Sequence, residues 1–259
     1  MSGQALQLRV VGSSSSIPRP NRASSTYVVQ GAGTTIVLDL GMGGFAAMRA
    51  HLSVDRLDAV LITHMHADHF LDVIPLRYAL RYGTVRRADR LPLWLPPGGT
   101  FVLRSLCSAF LRETEDEFLD TVFQIREYDP HRPLQIGALS LTFAPTVHYI
   151  PAYAVRVVCG ERTFVYSADT APCDDVVRLA RDAHLFCCEA TLGLGGEDGE
   201  PRGHCSAEEA AVMAQRAGVG VLLLSHYGDE WTPEQLLEGA SRAFTGTTIV
   251  ADDGTTLDV

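Results

Sequence analysis

Lysine is absent, and all 21 basic residues of this 259-residue chain are arginine. They face 31 acidic residues, which leaves a formal net charge of −10. Such a surface argues against tight binding to a long polyanion, because phosphate contacts by cationic side chains dominate nucleic-acid affinity. No N-terminal stretch joins basic residues, an apolar core and a small-residue cleavage site, so no signal peptide is expected. The longest apolar runs, such as residues 219–224, are too short to cross a bilayer. The cytoplasm is the expected location, with no membrane partner. No Cys-x-x-Cys pair suggests a structural zinc site, and six cysteines in a chain of this size do not read as a disulfide framework. Most are expected to be buried small hydrophobes. Cys205 is the exception, because it follows a histidine in a polar, glycine-rich stretch.

With 46% hydrophobic and 20% charged residues, the chain can bury a sizeable core. Against the acidic balance, Arg77, Arg81, Arg86, Arg87 and Arg90 fall close together. They read as a solvated helix face plus loop, or as a docking surface for a phosphate-bearing substrate or partner subunit. Alternation and turn residues predict strands over 6–11, 25–30, 34–40, 59–63 and 91–95. Helices are predicted over 45–51, 70–82 and 100–111, and the acidic stretch 113–120 reads as a surface continuation or a loop. Strands follow over 123–128, 139–144, 153–158 and 163–167, and then helices and strands alternate to the end. No linker and no short-period repeat interrupts the chain. Strands first, then alternating helices and strands, repeated once, predict one α/β domain over 1–259, a four-layer αββα sandwich.

The densest chemical signal is Thr63-His64-Met65-His66-Ala67-Asp68-His69, directly after the buried strand 59–63. Imidazole nitrogen and carboxylate oxygen suit zinc, and manganese or iron as well. In an extended segment His64 and His66 point the same way, and the turn into the helix brings Asp68 and His69 round to them. Three histidines and a carboxylate exceed what one catalytic zinc needs, since it keeps a position open for water. Two adjacent metals account for them better. Further candidates stand at predicted strand ends: His148 after 139–144, Asp169 after 163–167, and His226 after 221–224. Rigid strand termini are where catalytic residues of α/β architectures collect.

The set as a whole resembles the metallo-β-lactamase superfamily, within it the branch of ribonuclease Z and related phosphodiesterases. The likeness rests on Gly12-Ser13-Ser14, Asp39-Leu40-Gly41, residues 64–69, Ser167-Ala168-Asp169-Thr170, Cys188-Glu189-Ala190-Thr191, His204-Cys205-Ser206 and Ser225-His226-Tyr227. It implies that His64, His66 and His148 hold one metal, that Asp68, His69 and His226 hold the other, and that Asp169 bridges them. Two such metals, about 3.5–4 Å apart, acidify a shared water that attacks the substrate. Asp68, His204 and Glu189 are then the candidate catalytic residues. His204 stabilises developing charge or protonates the leaving group, while Asp39 and Glu189 orient imidazoles from behind.

Departures from the branch bear on the substrate. Ribonuclease Z carries a long tRNA-gripping arm between the positions of His148 and Asp169, where this chain has twenty residues. With the acidic charge, that favours a small phosphodiester such as a cyclic nucleotide. The alternative is a thioester, lactone or β-lactam hydrolase using the same metals. An iron redox enzyme and a non-catalytic binder are weaker readings, since no flavin or iron domain is attached and no ligand is missing. Related enzymes are often homodimers, which makes a second copy the expected partner.

Overall fold

The computed structural model describes residues 5–111, 114–196 and 198–259. Two mixed sheets account for the strands. In the first, the order is Thr256–Asp258, Leu6–Ser14, Thr26–Gly31, Thr34–Leu40, Ala59–Leu61, Leu91–Leu95 and Phe123–Glu127, with the short Ala23–Ser24 beside Leu6–Ser14. The second runs Thr247–Val250, Val221–Ser225, Leu185–Glu189, Arg162–Tyr166, Tyr153–Cys159, Leu139–Pro145 and Leu134–Ile136. Each half combines antiparallel hairpins with parallel strands, so each carries a set of parallel strand ends facing one edge.

Strand alternation sorts the side chains into three apolar layers. Ile36 and Leu38 point between the sheets while Val37 points outward. Leu185 and Cys187 likewise meet the inner layer, and Phe186 and Cys188 meet the outer one. The layer beyond the first sheet is closed by helices Gly44–Arg49, Val73–Tyr82, Gly99–Ser108 and Glu115–Asp120. Asp174–Leu179, Ala207–Ala217 and Pro233–Ser241 close the layer beyond the second. Helix, sheet, sheet, helix is the αββα order expected from the sequence. Among the described residues no helix is long and apolar enough to cross a membrane.

Three local expectations need correction. The acidic segment is a separate helix, Glu115–Asp120, opened by a capping box between Thr114 and Glu117, and it buries Phe118 and Leu119. It therefore packs as an amphipathic element instead of continuing the surface; Glu113 lies outside the described residues. The arginine cluster is no continuous face. Arg77 is buried with its guanidinium 3.7 Å above the Phe118 ring, and its Nε donates to the Phe118 carbonyl. Arg86, Arg87 and Arg90 donate to backbone carbonyls of Arg81, of Val54 and Leu57, and of Asp120. These arginines staple the helical layer, because a planar, permanently charged fork can bond several backbone carbonyls at once. Cys205 is buried like the other five cysteines, and burial, reinforced by contact with Cys188, pushes its thiol well up. That makes it an inert packing residue.

Candidate metal centre and active site

The parallel strands of both sheets end at one edge, and the chemistry-bearing residues stand just beyond them. His64 and His66 follow Ala59–Leu61, and Asp68 and His69 lie on the one-turn helix Ala67–Phe70. His148 follows Leu139–Pro145, Asp169 follows Arg162–Tyr166, and His226 follows Val221–Ser225. Asp39, Ala168 and His226 adopt left-handed backbone angles (φ 55°, 52° and 54°), strain of order 1–3 kcal/mol each that persists where the surroundings over-determine the site. Gly41 is there for close approach: a Cβ on it would lie 1.9 Å from the Asp68 carbonyl oxygen.

Two ligand groups form from these residues. His64, His66, His148 and Asp169 bring one donor atom each within 4.8 Å of one another, and Asp68, His69, Asp169 and His226 do the same. Asp169 belongs to both through different oxygens. Its Oδ2 lies 3.6 Å from His64 Nε2 and 3.7 Å from His148 Nε2, while Oδ1 lies 3.3 Å from His69 Nε2 and 3.5 Å from His226 Nε2. Asp68 Oδ2 stands 3.2 Å from His226 Nε2 and 3.4 Å from His69 Nε2. The grouping is the division of ligands that the sequence resemblance implies.

These residues fit metal ions on grounds internal to the structure. His64 Nε2 and Asp169 Oδ1 are buried without a hydrogen-bond partner, a cost of about 1–3 kcal/mol each that a cation would remove. Ring nitrogens also converge, His148 Nε2 on His66 Nδ1 at 2.9 Å and His69 Nε2 on His226 Nε2 at 3.3 Å, where lone pairs need a positive charge between them. Burial disfavours the His69 cation, yet Asp169, Asp68 and Asp39 outweigh it and raise its pKa well above the usual value. Positive charge is therefore favoured at that point.

Behind the ligands, two buried carboxylates set the imidazole tautomers. Asp39 accepts from His69 Nδ1 at 2.7 Å and from the Thr63 hydroxyl at 2.9 Å. With its proton so committed, Thr63 Oγ1 accepts from His64 Nδ1 at 3.1 Å. Glu189 repeats the wiring: it accepts from His204 Nδ1 at 2.9 Å and from the Thr191 hydroxyl at 2.6 Å, and Thr191 accepts from His226 Nδ1 at 2.9 Å. His148 Nδ1 donates to the Gly203 carbonyl at 2.8 Å. Each of these four ligand rings thus turns its Nε2 toward the metal groups. The threonines were given no role from sequence, although Thr191 ends one of the motifs on which the resemblance rests and Thr63 directly precedes another.

A cavity of about 320 Å³ opens over the cluster, lined by Ser16, His66, Ala67, Asp68, Tyr149, Asp169, Thr191, His204 and His226. His204 is its one lining histidine outside those two groups; with Glu189 and His226 it forms a third cluster of possible donors. Burial works against its charge, but the hydrogen bond and charge of Glu189, aided by Asp169 and Asp198, push its pKa up to about 9. At neutral pH the ring therefore carries its proton. Glu189 itself is buried behind it and does not line the cavity, so it positions His204 without meeting a substrate.

Residues 34–227 match the beta-lactamase superfamily domain, a span that contains every candidate metal ligand and His204, and the chain belongs to that family. The site is that of a metal-dependent hydrolase. The probable metallo-hydrolase YhfI of Bacillus subtilis is 28% identical over 96% of this chain and 98% of its own length. Its crystal structure superposes with a TM-score of 0.87 at 26% identity, covering 99% of this chain and all of that one. Ribonuclease Z of Methanothermobacter thermautotrophicus is 27% identical, over 98% of this chain and 97% of the relative. A diphosphatase of the PhnP family shares the fold, with a TM-score of 0.77 at 18% identity over 98% and 97% of the two chains.

Proposed function

We propose that this chain is a dinuclear phosphodiesterase acting on small phosphodiesters such as cyclic nucleotides. The observation that carries the reading is His204, held cationic by Glu189 on the wall of the cavity beside the metal groups. Phosphodiester hydrolysis puts extra negative charge on the phosphoryl oxygens and expels an alkoxide. A cationic imidazole answers both, by charge and by a proton.

His64, His66, His148 and Asp169 would hold one zinc, and Asp68, His69, His226 and Asp169 the other. When bound, the pair supplies Lewis acidity and a water acidified toward neutrality. Asp169 keeps the two groups in register by giving one oxygen to each. Asp39 and Glu189 hold the ligand rings in one tautomer, so no reorganisation is needed when charge develops. His204 delivers the proton from its Nε2, since Nδ1 is committed to Glu189. The size of the cavity supports a small substrate. So does the stretch between His148 and Asp169, which is occupied by the hairpin Tyr153–Cys159 and Arg162–Tyr166 within the sheet. The ribonuclease and diphosphatase among its relatives support chemistry at phosphorus.

The test measures metal per chain and, on the same sample, cleavage of bis(p-nitrophenyl) phosphate, a p-nitrophenyl ester and a thioester. Two zinc ions with preferential phosphodiester cleavage are expected. Two metals with cleavage of the ester or thioester alone would overturn the reading in favour of carbonyl hydrolysis.

A further inference from the structure

The segment carrying His204 is tied down by a residue that no motif marks. Asp198 Oδ1 accepts from the Tyr149 hydroxyl and from the Gly199 amide at 2.8 Å. Its Oδ2 accepts from the amides of Gly203 and His204, both at 2.9 Å. Tyr149 directly follows His148, whose Nδ1 is in turn bonded to the Gly203 carbonyl. Segments 148–149 and 198–204 are thus clasped twice. The clasp needs glycine at 203, because a Cβ there would come within 2.7 Å of the Tyr149 ring. His204 ends up held at three points: its amide by Asp198, its carbonyl by Arg202 at 3.1 Å, and its ring by Glu189. Asp198 does not line the cavity.

We propose that Asp198, working through Tyr149 and the amides of Gly203 and His204, is the positioning residue that sets His204 at the metal cavity. The inference rests on the role given to His204 in the preceding reading. Four donors on one carboxylate outweigh its burial and hold it ionised, with a pKa of about 2, so the clasp is complete across the working pH range. Arg202 is fastened separately to Glu209, at 2.9 and 2.8 Å, so loss of Asp198 frees the amide end of His204 while its carbonyl end stays anchored. The ring then turns about Glu189 and its Nε2 leaves the line of the leaving group.

The test is a double-substitution cycle on the zinc-loaded chain, run on a 3′,5′-cyclic nucleotide or, if only the carbonyl substrates are cleaved, on an alkyl ester, both of which expel an alkoxide that needs a proton, so that failure of the phosphodiesterase reading leaves it intact. Asp198→Ala should lower kcat by roughly tenfold, with KM and metal content unchanged, and by less than about twofold in a His204→Ala background. Tyr149→Phe, which keeps both amide bonds, should cost less than Asp198→Ala, and Asp198→Asn, which keeps one acceptor oxygen, should fall between. If phosphodiesters are cleaved, the Asp198→Ala loss should be larger for a 3′,5′-cyclic nucleotide, which expels an alkoxide, than for bis(p-nitrophenyl) phosphate. Independently of activity, amide exchange at Gly203 and His204 should accelerate in Asp198→Ala while exchange at Thr63 does not change. Additive losses in the cycle, an unaltered kcat in Asp198→Ala, or unaltered exchange at His204 would each overturn the assignment.

Discussion

Asp39 and Glu189 sit behind the same cavity and are wired alike, each gripping one histidine directly and a second through a threonine hydroxyl. Their surroundings differ. Both histidines served by Asp39 are wholly buried candidate ligands, and a Tyr166 hydroxyl at 2.9 Å completes its acceptor set. Glu189 divides its oxygens between a candidate ligand, His226, and a half-buried candidate proton donor, His204, which lies on a loop. On the proposed mechanism one carboxylate therefore serves metal geometry alone, while the other couples metal geometry to proton delivery. The contrast teaches that the same local device does different work according to whether the imidazole at its end is fixed by a strand end or by a clasped loop.

That contrast can be broken most severely at the metal groups themselves, at Asp169, which is common to both, or at His66, which belongs to one. Asp169→Ala or His66→Ala should lower turnover by about a thousandfold or more, with metal content reduced and the circular dichroism of a folded protein retained. Undiminished activity in either would remove the dinuclear mechanism. His204→Ala should cost about 10²–10⁴-fold in kcat on substrates with poor leaving groups, with both metals still measured in the purified chain. Asp39→Asn and Glu189→Gln separate the two wirings. The first should weaken metal affinity about 10–100-fold, read by competition with a chelating dye. The second should lower kcat more than affinity, and equal effects on both quantities would erase the distinction.

The smallest expected effect is on the pH dependence of stability in metal-free protein. In the folded chain the His204 pKa is raised to about 9, against about 6.5 for a histidine in an unfolded chain. Its ion pair with Glu189 therefore contributes fully below pH 6.5, and the contribution fades as pH rises through 9. The gap between the urea midpoints of the wild type and Glu189→Gln should narrow between pH 6 and pH 10, leaving only what the bonds of Glu189 to Thr170 and Thr191 contribute. A gap that widens with pH would mean that His204 is neutral when paired.

Much of this was legible along the chain. Thr34–Leu40 and Leu91–Leu95 lie at the bounds read from sequence. His64 to His69 reads as a ligand cluster because its members are sequence neighbours. Asp198 and Tyr149 did not read as part of the site, since their partnership joins segments forty-nine residues apart and neither residue type is distinctive alone. Arg77 looked like a solvated cation because charge patterning cannot see that Phe118 and its carbonyl lie beside it.

By itself the sequence determined which donor atoms this protein has and which strand ends carry them, because periodicity and motif spacing are local and follow from backbone geometry. Only the tertiary structure decided that Asp169 faces two groups with separate oxygens, that Thr63 and Thr191 relay a carboxylate to a ring, and that His204 is cationic. Those properties depend on distances between residues far apart in the chain and on burial, which exist only once both sheets have packed.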